Sequence, residues 1–153
     1  MPTLEFVCDL EAPLAQVWAF YDNIGTLFLL TPPEVKARLE GELVPMRVGV
    51  VYHLLFTRFG ITIRWDAEIV AYEPPRMFRD RQVDGKGPFT AWTHTHSFDP
   101  LPGDRTRLTD HVHYRLPLGP LGHIADLLFV RRELDKMFAY RHKVTRETLE
   151  KQR

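Results

Sequence analysis

Polar and apolar residues alternate along most of the chain, and this period-two pattern predicts a protein built largely from β-strands. In the clearest case, the apolar residues at positions 61, 63, 65, 67 and 69 alternate with polar or charged residues. Such alternation is typical of a strand with one face on the core and the other in solvent. Further strands are predicted at residues 3–11, 35–41, 48–58, 77–83, 89–98 and 106–116.

Helical periodicity occurs near both ends of the chain. Leu14, Val17, Trp18 and Tyr21 follow at i, i+3, i+4 and i+7, which predicts a short helix after Pro13. A second short helix is predicted at residues 23–30, and a long one at residues 121–150. The apolar residues predicted to mark the buried side of the long helix are Leu127, Val130, Leu134, Met137, Phe138 and Val144.

The order of these elements predicts an α+β fold. One strand, two short helices, six strands and one long helix follow one another along the chain. Sequential strands with short connections form an antiparallel sheet, here of about seven strands, and the terminal helix must cover its apolar face. A chain of 153 residues fits a single domain spanning residues 1–153.

Composition and charge exclude several classes of protein. Hydrophobic residues make up 44% of the chain, and twenty basic residues balance twenty acidic ones, which argues against a nucleic-acid binder. The lone Cys8 permits no internal disulfide and is interpreted as a small buried hydrophobe. No apolar run reaches the roughly 18 residues of an integral membrane segment, and no signal peptide is visible. We therefore expect a cytoplasmic protein.

Two His-x-His pairs, His94/His96 and His111/His113, are candidate metal ligands. Residues i and i+2 of a strand share a face, so the register between the two strands decides whether all four meet. A turn centred near Leu101 or Pro102 gives one register that puts the apolar residues of both strands together. In that register His94 and His96 point inward and His111 and His113 point to solvent. We therefore predict no metal site and no cofactor.

The same register places His94 opposite Asp110 and His96 opposite Leu108. A buried imidazole beside a carboxylate is expected to have a raised pKa. The pair could be a satisfied polar pair that sets the register, a contact for a ligand, or an acid–base pair, and the sequence leaves these readings open. In the third reading Tyr114 donates a hydrogen bond to a substrate carbonyl.

Several motifs in the second half of the chain resemble a known superfamily. They are Gly87-Pro88-Phe89, Trp92-Thr93-His94-Thr95-His96-Ser97-Phe98, Leu108-Thr109-Asp110 and Leu116-Pro117-Leu118-Gly119-Pro120-Leu121-Gly122. The chain resembles the START / Bet v 1-like (SRPBCC) superfamily, and these motifs resemble its bacterial cyclase/dehydrase-like or cell-division-inhibitor-like subgroup. The resemblance implies a helix-grip fold, in which a curved antiparallel sheet wraps around a long C-terminal helix and encloses an apolar cavity.

We expect such a cavity to bind a small hydrophobic or amphipathic ligand, such as a lipid, isoprenoid, polyketide-like or aromatic molecule. The alternatives are a polyketide cyclase/dehydratase-type enzyme with His94, Asp110 and Tyr114 as candidate catalytic residues, or a protein-interaction module with no open cavity. A homodimer is left open. The residues predicted to contact the ligand are Phe56, Trp65, Trp92, His94, His96, Phe98, Asp110, Val112, Tyr114, Leu134 and Phe138.

Two further features concern the wall of the expected cavity. His53 is a candidate polar group for the cavity wall. The inner face of the strand at residues 77–83 is ambiguous, because Asp80 and Gln82 share a face with Phe78 whereas Met77 and Val83 lie on the other.

Overall fold

The computed structural model describes residues 2–151 and contains one antiparallel sheet of seven strands. The strands are β1 (Thr3–Leu10), β2 (Lys36–Glu40), β3 (Val51–Arg58), β4 (Ile61–Glu73), β5 (Met77–Gln82), β6 (Ala91–Leu101) and β7 (Arg105–Arg115). Their order across the sheet is β1-β7-β6-β5-β4-β3-β2, so β1 lies beside the last strand rather than beside β2.

The helices lie where the periodicity predicts them. Two short helices, α1 (Leu14–Tyr21) and α2 (Thr26–Leu30), connect β1 to β2. The C-terminal helical region consists of α3 (Pro120–Ala125), a π-helical segment (Asp126–Val130) and α4 (Arg131–Glu150). A curved seven-stranded sheet with a long C-terminal helix is the helix-grip fold, and the predicted fold class is confirmed.

Strands β6 and β7 turn the predicted faces toward the core. The side chains of Trp92, His94, His96 and Phe98 are buried, whereas the residues between them are more exposed. On β7, His111 and His113 point outward as expected. The inner face of each of the two strands is therefore the predicted one, because only that face brings the apolar residues into the core.

The register between β6 and β7 differs from the prediction by two residues. His96, and not His94, is directly opposite Asp110, and His94 is opposite Val112. The cause is the turn: β6 continues to Leu101, and the connection is residues 102–104, in which Gly103 and Asp104 adopt positive φ angles of 80° and 54°. A shift of two residues keeps every side chain on its face, so the inner face is unchanged.

The long helix differs from a regular helix at its first turns. Leu127, predicted on the buried side, is 61% exposed, and Asp126 is buried instead. The π-helical segment widens the turn by one residue and so changes which side faces the sheet. Beyond it, the side chains of α4 that are buried are Leu134, Phe138, His142, Thr145 and Leu149.

The main core lies between the sheet and α1. Val17 and Trp18 pack there with Leu10 and Phe98. Cys8 belongs to the same cluster, is 1% exposed, and burial raises the pKa of its thiol to about 11. The thiol is therefore protonated at neutral pH, which agrees with its interpretation as a small hydrophobe.

No helix within residues 2–151 is long and apolar enough to cross a membrane.

Candidate functional site

A cavity of about 680 Å³ separates the inner face of the sheet from the C-terminal helix. Strands β3 to β6 form one wall, and α2, the segment after it and α4 form the opposite wall. Most of the wall is apolar, and Tyr52, Trp65 and Trp92 are among its large side chains. Its polar side chains include Asp80, His94, His96, Asp110 and Arg141.

Seven of the eleven residues predicted to contact a ligand line this cavity. They are Phe56, Trp65, Trp92, His94, His96, Asp110 and Leu134. Trp65 is the centre of the aromatic part of the wall, with ring centroids 5.0 Å from Trp92 and 6.2 Å from Phe56. Whether these residues contact a ligand stays a prediction.

The other four, Phe98, Val112, Tyr114 and Phe138, do not line the cavity, which corrects the sequence-based prediction. All four are fully buried in packed core. Phe98 packs against Trp18, with ring centroids 5.5 Å apart, and Phe138 stacks on Phe6 at 4.4 Å. On the sheet, Trp18 of α1 covers Phe98, whereas Val112 and Tyr114 pack in one core cluster with Leu134 and Phe138 of α4.

Tyr114 cannot serve as the substrate hydrogen-bond donor that the sequence suggested. Its hydroxyl donates to the buried carboxylate of Asp126, the first residue of the π-helical segment, outside the cavity. Burial and this carboxylate raise the pKa of Tyr114 to about 12. The hydroxyl is thus engaged in joining β7 to the C-terminal helix.

Asp110 is the centre of a buried hydrogen-bond network. His94 Nε2 donates to Asp110 Oδ1 at 2.7 Å, and His142 Nε2 donates to Asp110 Oδ2 at 2.7 Å. The predicted His94–Asp110 contact therefore exists, although the two residues are diagonal rather than opposite in the sheet. His142 comes from α4, so the network joins the sheet to the helix.

Asp80 extends this network on the other side of the two histidines. His96 Nε2 donates to Asp80 Oδ2 at 3.2 Å, and His94 Nδ1 lies 4.0 Å from the same oxygen. The imidazoles of His94 and His96 have centroids 3.7 Å apart. Each ring thus has one nitrogen near Asp110 and the other near Asp80. We call Asp80, His94, His96, Asp110 and His142 the histidine–aspartate cluster.

The two histidines of β6 have pKa values shifted in opposite directions. Burial, together with the charge of His96, lowers the pKa of His94, against the raised value that the sequence suggested. Burial would also lower the pKa of His96, but Asp110 and Asp80 outweigh it and raise that pKa. The pKa of His94 is lowered chiefly because its buried imidazole is removed from water, which disfavours the charged form.

Both carboxylates of the cluster stay ionised. Burial would raise the pKa of Asp110, yet hydrogen bonds from His142 and His94 and the nearby imidazole of His96 hold it well below its usual value. Burial would raise the pKa of Asp80 as well, but His96 and His94 lower it.

The guanidinium of Arg141 is also affected by burial, which lowers its pKa, although Asp110, Tyr21 and Asp80 favour its charged form.

Three residues of this site were not predicted from the sequence: two members of the histidine–aspartate cluster, Asp80 and His142, and their neighbour Arg141. Asp80 lies on a strand whose inner face was ambiguous, and the structure turns Phe78, Asp80 and Gln82 inward. His142 follows Phe138 by four residues, so the helical stripe that identified Phe138 could have identified it. For Arg141 the sequence carried no such signal.

The remaining histidine candidates lie outside the site. His53 points away from the cavity, with a side chain 44% exposed and Nδ1 2.9 Å from Asp66 Oδ1. His113 Nδ1 forms a hydrogen bond with Thr3 Oγ1 at the outer face of the sheet. The four-histidine metal site is therefore not formed by His94, His96, His111 and His113.

The structure is similar to those of several known proteins. An aromatase/cyclase, Zhui of Streptomyces sp. R1128, matches with a TM-score of 0.77 at 15% sequence identity, over 97% of this chain and 93% of that chain. Norcoclaurine synthase from Thalictrum flavum, in complex with dopamine and hydroxybenzaldehyde, matches with a TM-score of 0.67 at 16% identity, over 95% and 87%. A protein from Chromobacterium violaceum matches with a TM-score of 0.76 at 15% identity, over 97% and 96%.

These likenesses show that the chain has the Bet v 1-like helix-grip fold. At such identities they carry the fold and not an activity. No protein-family model matches the chain, and no curated protein matches it significantly in sequence. The bacterial cyclase/dehydrase-like subgroup stays a prediction from the motifs.

Proposed function

We propose that this chain binds a small apolar or amphipathic molecule in the cavity between the sheet and the C-terminal helix. The observation that carries the proposal is the unfilled volume of about 680 Å³ with the histidine–aspartate cluster in its wall. This volume lies within the roughly 300–1,000 Å³ range of small-molecule sites, which are mostly apolar with a few polar groups.

The polar groups indicate what the ligand carries. Arg141 Nε is buried and has no hydrogen-bond partner within residues 2–151. A buried donor without an acceptor is costly, so a ligand oxygen beside it would be stabilised. We therefore favour an aromatic or isoprenoid-like molecule with a carbonyl, hydroxyl or carboxylate group. The two aromatic molecules bound by norcoclaurine synthase on the same fold support this class.

Reducing the volume of the cavity should weaken binding without removing the cluster. Ala67 on β4 lines the cavity, and Ala67→Phe introduces a ring into that volume. With the amphipathic fluorophore 8-anilinonaphthalene-1-sulfonate as the probe, we expect at least a roughly tenfold weaker affinity, since the lost volume must be vacated before the probe can enter. Fluorescence titration measures this affinity.

The matched control is Ala139→Phe, the same chemical change at an exposed position of α4. It should bind the probe as the unmodified chain does. Circular dichroism and the unfolding midpoint identify a variant that binds the dye because it is partly unfolded. Equal affinity of a folded Ala67→Phe variant and the unmodified chain would contradict the proposal, because the probe would then bind elsewhere.

A second candidate function is a cyclase/dehydratase-type enzyme, and one contact favours it. His94 lies on the cavity wall and donates its Nε2 proton to Asp110, which selects the tautomer with a free Nδ1 lone pair. Such a nitrogen could remove a proton from the carbon beside a ligand carbonyl. The resulting enolate would attack a second carbonyl, the new alkoxide would take up a proton, and loss of water would follow. Arg141, rather than Tyr114, would hydrogen-bond the carbonyl oxygen.

Proton removal can be tested before the substrate is known. In D2O, nuclear magnetic resonance measures exchange at the activated carbon of 2-tetralone, an aromatic ketone. We expect the protein to accelerate this exchange. His94→Gln should lower the rate of the accelerated exchange by about 100-fold or more, the usual effect of losing an acid–base group. The outward-facing His113→Gln is the control and should retain the rate. An equal rate in His94→Gln excludes His94 as the base.

A further inference from the structure

Three donor atoms of the histidine–aspartate cluster converge on one point of the cavity wall. Asp80 on β5 is directly opposite His94 on β6, and His96 follows two residues later on the same face. One carboxylate oxygen of Asp80, Nδ1 of His94 and Nε2 of His96 are available there, and one ligand atom from each residue lies within 4.8 Å of the others. All three residues line the cavity.

The spacing is close to that of a metal site. Asp80 Oδ2 lies 3.2 Å from His96 Nε2 and 4.0 Å from His94 Nδ1. Ligand atoms about 2.1 Å from one metal ion stand roughly 3.0–3.5 Å apart, so a small rotation of the His94 ring closes the arrangement. We propose that Asp80, His94 and His96 form a binding site for a divalent first-row transition-metal ion.

Asp110 occupies the position of the residue that orients metal-bound histidines. Metal-ligating histidines usually donate the other ring N–H to a carboxylate or carbonyl, which fixes the ring and its tautomer. His94 Nε2 does so to Asp110 Oδ1 at 2.7 Å, and His96 Nδ1 lies 3.3 Å from the same oxygen. His142 holds the other oxygen of Asp110. One carboxylate therefore holds the His94 imidazole and lies close to the His96 imidazole.

An unsatisfied atom gives independent support. His96 Nδ1 is buried and has no hydrogen-bond partner within residues 2–151, and the side chain is 9% exposed. In the metal-free chain the His96 proton that bonds Asp80 is on Nε2. A metal ion on Nε2 would leave the proton of a neutral imidazole on Nδ1, where Asp110 Oδ1 is the nearest acceptor. Metal binding thus satisfies an atom that is otherwise unpaired.

The local charge favours a cation of this class. The carboxylates of Asp80 and Asp110 both face the two imidazoles, and the guanidinium of Arg141 also lies on the cavity wall. Two imidazoles and one carboxylate suit Zn²⁺ or Fe²⁺, and three protein ligands leave a coordination position for water or a ligand oxygen. This site and the acid–base role of His94 exclude each other, because both need the lone pair of Nδ1.

Titration with Co²⁺, after dialysis of the full chain against a chelator, tests the site. Co²⁺ reports its ligands by visible absorption, and Zn²⁺ should displace it. We expect one equivalent to bind. Asp80→Asn and His94→Gln should each weaken the affinity by about 100-fold or more, and Asp110→Asn by about 10–100-fold as a residue that orients the ligands.

The outward His-x-His pair of β7 provides the matched control. The double variant His111→Ala/His113→Ala removes the other such pair and should change the affinity less than about twofold. Absence of one-to-one binding up to about 1 mM Co²⁺, binding that persists in Asp80→Asn and His94→Gln, or binding lost in the control variant would each overturn the proposal. Binding of the fluorescent probe to the metal-free chain is measured separately, so failure of the metal site and failure of the ligand site are distinguishable.

Discussion

Asp110→Ala is expected to lower the free energy of unfolding by about 2–6 kcal/mol, because a buried donor left without an acceptor costs about 1–3 kcal/mol and two such donors result. The side chain of Asp110 is only 5% exposed, and its oxygens accept hydrogen bonds from both His94 and His142. Alanine leaves two buried imidazole donors without an acceptor and cuts the polar link between β7 and α4. Urea or thermal unfolding followed by circular dichroism measures the loss.

Asp9→Ala is the control for this prediction. Asp9 makes a contact of similar length, 2.8 Å to Arg107, on the same sheet, but both side chains are more than two-fifths exposed. Exposed ion pairs contribute little, so the unfolding midpoint should hardly move. A second variant, His142→Ala, loses one of the same hydrogen bonds, and its effect combined with Asp110→Ala should be less than additive. Similar midpoints for Asp110→Ala and Asp9→Ala would contradict the central role of Asp110.

Phe98→Ala is expected to cost about 3–5 kcal/mol, as is usual for a fully buried aromatic ring cut back to a methyl group. Phe98 has no exposed surface and contacts the rings of Trp18, Tyr21 and Phe78. The space left behind is surrounded by the main core, which cannot collapse fully. The free energy of unfolding from denaturant titration measures the cost.

Phe56→Ala is the matched comparison, because Phe56 is partly exposed and lines the cavity. Its removal enlarges a volume that is already unfilled, so we expect a smaller loss of stability and a changed affinity for the fluorescent probe. Phe98→Ala should change stability without opening the ligand site. If the two variants lose the same stability, the distinction between filled core and cavity wall is wrong.

The strands and their buried faces could be predicted because side-chain direction in a strand depends only on position. Trp92, His94, His96 and Phe98 are two residues apart, so one pleat places all four on one face. The burial of apolar residues then chooses which face is inner. The predicted α+β order and the outward position of His113 follow from the same local rule.

The predicted contacts failed where distant parts of the chain decide the outcome. The register of β6 on β7 depends on the turn, which the sequence predicts to be centred near Leu101 or Pro102, whereas in the structure the connection is residues 102–104. Leu127 was assigned to the buried side on a regular period, which the π-helical segment interrupts. Phe98 and Phe56 lie in the same alternating pattern of polar and apolar residues. In the structure α1 covers Phe98, whereas Phe56 lines the cavity.

What the sequence determined by itself is the α+β order of elements and the face on which His94 and His96 lie, because both follow from short-range periodicity and the burial of apolar side chains. Only the tertiary structure decided which groups meet there. Asp80 from β5, Asp110 from β7 and His142 from α4 are brought to those imidazoles by strand pairing and helix packing, and no local pattern records these contacts. The unfilled volume beside them is likewise a property of the packed elements together, since it is the space that the curved sheet and the helix leave between them.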